Sequence, residues 1–194
     1  MRKFMILAAL AVSTLSAVAG PFEDGASAYK RGDYSTAINR WRPLANSNPT
    51  IQNNYGVMYM DGKGVKRDYA VALQWFSRSA SAGSSLGQNN LGGLYRDGKG
   101  VRPDYVKANT FFQAAAQQGN PAAQANLGLM EMNGQGMRVD PVHAYMWFDV
   151  AAAQGLPQAA ANRNAMRQRM SQRDVAMAAQ LSARCRQMSF RNCG

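Results

Sequence analysis

The chain has 194 residues, 46% of them hydrophobic, and carries 22 Lys and Arg against 11 Asp and Glu. This apolar content excludes a disordered chain, and the length suits one globular domain of ordinary size. The net charge of +11 favours acidic partners.

The N-terminus has the features of a secretory signal peptide. Arg2 and Lys3 precede an apolar run over 4–15, and small residues follow up to Ala19. The run is shorter than the roughly 20 apolar residues that a membrane-spanning helix needs, and the small residues suit a cleavage site. We therefore predict cleavage after Ala19, export most simply to a bacterial periplasm, and no stable insertion into a membrane.

Residues 20–50 follow the signal peptide and carry a short pattern of small and aromatic residues. The pattern consists of Gly32, Asp33, Tyr34, Ala37, Trp41 and Ala45. It is similar to a tetratricopeptide helix pair and predicts a degenerate pair of helices at the start of the mature chain.

Residues 51–155 contain three units of 36 residues that align without insertion or deletion. In each unit the same positions hold an Asp, an Ala, an aromatic pair and a Gly. These positions are Asp68, Asp104 and Asp140; Ala72, Ala108 and Ala144; Trp75-Phe76, Phe111-Phe112 and Trp147-Phe148; and Gly83, Gly119 and Gly155. Such self-similarity is the signature of a repeat architecture.

Each unit predicts two antiparallel helices, which we call the A helix and the B helix. The recurring Asp suits the N-cap of the B helix, because its carboxylate accepts from free N–H groups of the first turn. The recurring Gly near the end of the unit stops the B helix. A further Gly recurs inside the A helix at Gly56, Gly92 and Gly128, where it costs about 1 kcal/mol relative to Ala. We expect it to admit the first aromatic residue of each pair, which is Trp75, Phe111 or Trp147.

The pattern Leu-Gly-x-x-Tyr-x-x-Gly-x-Gly-Val-x-x-Asp-x-x-x-Ala-x-x-(Trp/Phe)-Phe-x-x-Ala-x-x-Gly resembles the Sel-one-like repeat, a relative of the tetratricopeptide repeat. The resemblance covers 51–155. It implies an all-α fold, a right-handed αα superhelix that serves as a scaffold for protein contacts, with no reaction and no cofactor. The third unit departs from the pattern at Glu131, Gln135 and Met137, so its surface chemistry is expected to differ.

Residues 156–194 predict two helices and a basic tail. The first helix runs from Pro157 to about Met170, and the second begins near Ser171 and Asp174. We expect them to cap the open end of the repeat stack. Cys185 and Cys193 lie eight apart in a chain predicted to be exported, so a disulfide is expected.

Two thirds of the mature chain's net charge lies in this segment, which has seven arginines and a single acidic residue, Asp174. They are Arg163, Arg167, Arg169, Arg173, Arg184, Arg186 and Arg191. An exported protein rarely meets nucleic acid, so an acidic protein or an anionic envelope glycan is the better partner. A solvated cationic face that keeps the protein soluble is the simpler interpretation.

Catalytic patterns are weak. Ser27 and Lys30 match the Ser-x-x-Lys of serine β-lactamases, and cysteine-rich relatives of the repeat family have been described as β-lactamase-like. The accompanying Ser-Asp-Asn and Lys-Thr-Gly are absent from the sequence. His143 is the only histidine, so a His-based triad or an ordinary zinc site cannot be assembled. We predict no catalytic residue and no metal.

Polar residues on the A helices are the candidates for binding, because these helices are expected to line the concave side of the superhelix. Asn54, Asn90 and Asn126 recur in register and could form a ladder for a peptide backbone, or could bond the neighbouring inter-helix turn. Gln88, Gln124 and Arg96 are expected to give specificity. Four methionines either fill gaps in the core or form a soft contact surface; these are Met58, Met60, Met130 and Met132.

The sequence therefore predicts a non-enzymatic periplasmic scaffold that binds a protein or peptide of the cell envelope through its concave surface. Two alternatives stay open. One is an envelope hydrolase of the β-lactamase-like kind. The other is a cationic binder of anionic cell-envelope glycans.

Overall fold

A computed structural model describes residues 20–191 and 193. Within this part of the chain the regular structure is helical, and it divides into two compact units, Met1–Trp41 and Arg42–Gly194. The signal peptide and the cleavage after Ala19 lie outside the described residues. Among the described helices, none combines the length and the apolar character that crossing a membrane requires.

The first unit contains helices α1 (Pro21–Lys30) and α2 (Tyr34–Trp41), the pair expected from 20–50. Trp41 on α2 is buried, and its indole Nε1 donates to the backbone oxygen of Phe22 at 3.1 Å. Gly25 on α1 leaves the space that this indole occupies. The end of the predicted segment, from Arg42 onward, belongs to the second unit.

The second unit opens with a 3₁₀ turn, Arg42–Leu44, and continues with eight described α-helices. They are α3 (Pro49–Asp61), α4 (Tyr69–Ser81), α5 (Ser85–Asp97), α6 (Tyr105–Gln117), α7 (Pro121–Asn133), α8 (Pro141–Ala153), α9 (Pro157–Arg167) and α10 (Gln172–Gln187). The A helices are α3, α5 and α7, and the B helices are α4, α6 and α8. Each helix from α3 to α8 packs against the next one in the chain, as in an αα solenoid.

The predicted ends of the B helices are confirmed. Asp68 accepts from the backbone N–H groups of Ala70 and Val71 at 2.9 and 3.0 Å. Asp140 likewise accepts from two N–H groups of α8, and Asp104 accepts from that of Lys107 in α6. Each B helix ends two residues before a glycine with positive φ, at 82°, 82° and 87°. These caps fix the length of every B helix at 13 residues.

The glycine inside each A helix contacts the second aromatic residue of the pair, so the predicted contacts with Trp75, Phe111 and Trp147 are wrong by one residue. A Cβ on Gly92 would lie 2.9 Å from the ring of Phe112, and a Cβ on Gly128 would lie 2.9 Å from Phe148. Phe76, Phe112 and Phe148 are fully buried. One step along a helix turns the side chain by about 100°, and this step decides which ring faces the A helix.

The two C-terminal helices both pack on α8. As a result α8 is buried on nearly every side, with seven buried residues that include Trp147 and Val150. Helix α9 follows α8 as an A helix follows a B helix. Helix α10 returns to α8, and its residues Leu181 and Cys185 join the apolar cluster shared by α6, α7 and α8.

Candidate functional site

The three A helices are joined by pairs of asparagines into one surface, which we call the A-helix surface. Asn90 Nδ2 donates to Asn53 Oδ1 at 2.8 Å, linking α5 to α3. Asn126 Nδ2 donates to Asn89 Oδ1 at 3.0 Å, linking α7 to α5 in the same way. In each link the first asparagine of one unit accepts from the second asparagine of the next.

These links change the interpretation of the predicted ladder. Asn90 and Asn126 bond neighbouring A helices, and the expected bonds to the inter-helix turns are not the ones they form. Asn54 is half-buried and takes no part in these links. Asn53 and Asn89 were missed, although the Asn-Asn doublets at 53–54 and 89–90 were a visible signal. Direct recognition of a partner by these amides stays a prediction.

Arg96 is held across the boundary between α5 and α7. Its Nη1 donates to Asn126 Oδ1 at 2.7 Å, and its Nε donates to Asp97 Oδ1 at 2.8 Å. Burial alone would raise the pKa of Asp97, but the hydrogen bonds and charges of Arg96 and Lys99 outweigh it and lower that pKa. The guanidinium is therefore a fixed and half-buried positive group on the A-helix surface.

The two candidate glutamines differ in exposure. Gln124 is fully buried: its Nε2 donates to the backbone oxygen of Ala116 at 3.2 Å, and its Oε1 accepts from Gln154 at 2.6 Å. The prediction that Gln124 contacts a partner is corrected, because both ends of its amide are used inside the protein. Gln88 is half-buried and accepts from Gln118 at 2.7 Å.

Two rows of partly exposed residues cross the A-helix surface in register. The first row is Val57, Gly93 and Leu129, and the second is Met60, Arg96 and Met132. The methionines divide between the two predicted roles. Met58 and Met130 are buried in the core, whereas Met60 and Met132 reach the surface.

The third unit carries a buried carboxyl at Glu131, where the other units have tyrosine. Its Oε1 accepts from Trp147 Nε1 at 3.3 Å, and its Oε2 is buried without a hydrogen-bond partner. Burial raises the pKa of Glu131 to about 7, against the lowering effects of His143 and the Trp147 bond. His143 itself lies 2.8 Å from Asp140 through Nδ1, so it is a helix residue with a bonded partner.

Asp149 on α8 ties down both C-terminal helices. It accepts from Arg163 of α9 at 3.0 Å, and from Ser182 and Arg186 of α10 at 2.5 and 3.1 Å. Burial would raise the pKa of Asp149, but these hydrogen bonds together lower it. Arg163 and Arg186 are thus structural. The remaining five arginines of the segment are exposed and form no ion pair within the described residues; they are Arg167, Arg169, Arg173, Arg184 and Arg191.

Cys185 and Cys193 are joined by a disulfide, with their Cα atoms 5.0 Å apart. The turn that the disulfide encloses places the Phe190 ring next to Gly119, at the end of α6. The disulfide therefore pins the chain end against the second repeat as well as onto α10.

The weak catalytic pattern lies in the first unit. Ser27 and Lys30 are both exposed on α1. Among residues 20–191 and 193, no three His, Cys, Asp or Glu side chains are grouped as metal ligands would be.

The repeat pattern matches a family model described as the Sel1 repeat, over residues 51–84, 85–120 and 121–156. The chain belongs to the Sel1 repeat family. Sel1 repeats generally mediate contacts between proteins, and the fold is typically a non-enzymatic scaffold. The predicted family and the all-α repeat fold are confirmed.

Two solved structures are similar to this Sel1 repeat protein. A Sel1 repeat protein from Oxalobacter formigenes has a TM-score of 0.74 and 32% sequence identity, over 82% of this chain and 69% of that one. The protein c5321, a protective antigen present in uropathogenic Escherichia coli strains, has a TM-score of 0.72 and 28% identity. That similarity covers 80% of this chain and 34% of c5321. No curated protein matches the chain in sequence.

Proposed function

We propose that this Sel1 repeat protein is an exported scaffold that captures a protein or peptide partner of the cell envelope on its A-helix surface. The observation that carries the proposal is the joining of α3, α5 and α7 by the two asparagine links. The links hold the two rows of partly exposed residues at a fixed spacing. A fixed surface loses less entropy when it binds than a mobile one does.

Two features support export to an oxidising compartment such as the periplasm. The residues before Gly20 have the composition of a signal peptide. The disulfide between Cys185 and Cys193 suits a compartment in which thiols are oxidised. The test is the mass of the protein purified from the envelope fraction, which should correspond to a chain that begins at Gly20. A mass that includes Met1 to Ala19 would contradict export by cleavage.

A photo-crosslinking experiment tests the A-helix surface. Gly93 is the best site for a benzoylphenylalanine residue, because a side chain built there meets no atom within 4 Å. Val106 on the B helix α6 is the matched control, with 68% of its surface exposed. We expect illumination of cells to give a discrete adduct from position 93 and none from position 106.

Purification of the adduct identifies the partner, and direct binding to the purified partner must follow. An adduct from position 106 and none from position 93 would indicate that the partner binds the B helices and not the A-helix surface. Elution at moderate salt of an envelope glycan, without any protein adduct, would favour the cationic glycan binder instead, since binding by exposed charge weakens steeply with salt.

A further inference from the structure

A small apolar socket opens between the end of α7 and the connection from α9 to α10. It has a volume of about 320 Å³. Its walls are Met132, Pro141, Met166 and Met170. The volume lies at the lower end of the range of about 300–1,000 Å³ that ligand pockets occupy, which suits one large side chain better than a whole small molecule.

The rim of the socket has one free cation. Arg169 is exposed and forms no ion pair within the described part of the chain. Asp174 also lines the rim, but its carboxylate accepts from Ser171 Oγ at 2.9 Å and lies at the positive end of α10. Arg167 and Arg173 flank this region, exposed and likewise without an ion pair in the described residues. The lining itself carries one positive and one negative group, and the excess of positive charge comes from the sequence neighbours Arg167 and Arg173.

The socket continues the A-helix surface. Met132 forms part of its wall and also ends the row that begins with Met60 and Arg96. An extended peptide lying along this row would reach the socket at its α9 end. Three of the four walls are methionines, whose flexible thioether side chains adapt to different apolar groups.

We propose that this socket binds an acidic peptide segment of the protein partner, with one large apolar side chain inside and a neighbouring carboxylate on Arg169. The inference rests on the proposed function, because it names the chemistry of the partner captured by the A-helix surface. The apolar walls select the anchor residue. The unpaired arginine selects the acidic neighbour and draws the acidic segment toward the socket.

The test uses the disulfide-bonded protein and a fluorescein-labelled nine-residue peptide with a leucine between two glutamates in a glycine-serine background. Two control peptides replace the glutamates by glutamine or the leucine by alanine. We expect fluorescence anisotropy to show saturable binding of the first peptide, with Kd at least fivefold lower than for either control.

Variants of the protein locate the binding. Arg169→Gln should raise Kd about three- to fivefold, the range expected for loss of one exposed ion pair. Arg173→Gln removes the same charge outside the socket and should leave Kd within a factor of two. Met132→Asp should raise Kd at least tenfold, because it places a carboxylate in the apolar wall. Circular dichroism and melting temperature confirm that each variant folds.

Three results would overturn the socket. Equal weakening by Arg169→Gln and Arg173→Gln would indicate general attraction by the basic segment. Equal binding of all three peptides would exclude the stated anchor. A dimer in sedimentation equilibrium that Met132→Asp dissociates would assign the socket to a second copy of the chain. If position 93 still gives its adduct in any of these cases, the proposed function survives and the socket alone fails.

Discussion

The second and third repeats, 85–120 and 121–156, share their helix lengths and helix contacts but differ in the side-chain pair beside those contacts. In both, the A helix and the B helix have 13 residues each, and a Cβ built on the glycine at the same position would lie 2.9 Å from a phenylalanine ring. In the second repeat Tyr95 stacks on Phe111, with ring centroids 5.7 Å apart. In the third, Glu131 accepts instead from Trp147.

The difference shows which parts of a repeat can vary. The caps and the Gly–Phe contact set the helix lengths and their distance, so they must recur in every unit. The position of Tyr95 and Glu131 lies beside this framework and can exchange an aromatic stack for a titratable hydrogen bond. The third repeat thereby gains a dependence on pH without any change in its helices.

The largest expected effect tests the shared framework. Gly92→Leu and Gly128→Leu each force a side chain into a phenylalanine ring and a nearby backbone oxygen. We expect each change to lower the free energy of unfolding by at least about 3 kcal/mol, and by similar amounts in the two repeats. Urea denaturation followed by circular dichroism measures both. A loss below 1 kcal/mol in only one repeat would show that its helices are free to separate.

The next effect separates the two repeats. The pKa of Glu131 rises from 4.5 to about 7 in the folded protein, so folding favours the protonated form. The free energy of unfolding is therefore highest below pH 4.5, where Glu131 is protonated in both states. It falls as pH rises between 4.5 and 7, and the contribution of the protonated carboxyl is lost above 7. The ionised form costs about 3 kcal/mol there.

Glu131→Gln should remove this dependence, because the amide oxygen still accepts from Trp147 and never ionises. The stability of the variant should exceed that of the wild type at pH 8 and match it below pH 4.5. Glu23→Gln is the control, since Glu23 is exposed and is the other glutamate of the chain. Parallel pH profiles for the wild type and Glu131→Gln would refute the raised pKa.

A smaller effect concerns the C-terminal segment, which packs on the third repeat and also reaches the apolar cluster of the second through Leu181, Cys185 and Phe190. Cys193→Ser opens the disulfide while keeping the buried Cys185 in place. We expect a loss of about 2 kcal/mol, because the closed loop is short. Reduction of the wild type with dithiothreitol should give the same midpoint in urea. A variant as stable as the oxidised wild type would mean that packing alone holds the segment.

The smallest effect has the opposite sign. Gly93 occupies the register of Leu129 but has open space around it, so Gly93→Ala meets no obstacle. The helix propensity of Ala should add up to about 1 kcal/mol to stability. Differential scanning calorimetry should show a higher melting temperature. A decrease would indicate that α5 needs the freedom of glycine at this point.

The sequence predicted the parts of the fold that depend on local chemistry. The Asp N-caps and the glycines after the B helices act within one turn, so their spacing alone located the helix ends. The contact of Gly92 with Phe112 was not predictable to the residue, because Phe111 and Phe112 are both apolar and only the rotation of α6 distinguishes them. The position of α10 on α8 was out of reach, since the C-terminal segment has no repeat partner to align with.

The candidate site was harder to predict because the same residue types serve binding and structure. Gln124 looked like an exposed polar residue, yet its amide is used by Ala116 and Gln154. Asn90 and Asn126 were found by their recurrence, but the partners Asn53 and Asn89 lie 37 residues away, one residue outside the repeat period. A search at the period itself misses a bond that crosses from one unit to the next.

The offset of 37 residues makes the second repeat a unit that can be copied. Both of its asparagines form a link, with Asn90 bonded to the preceding unit and Asn89 to the following one. A duplicate of 85–120 inserted after Asn120 would therefore find a matching asparagine on each side. The third repeat ends the series, because Ala125 stands where the next acceptor would be. Gene duplication could thus lengthen this scaffold from its middle. The inserted repeat would form the same asparagine links, and the C-terminal helices would keep their packing on α8.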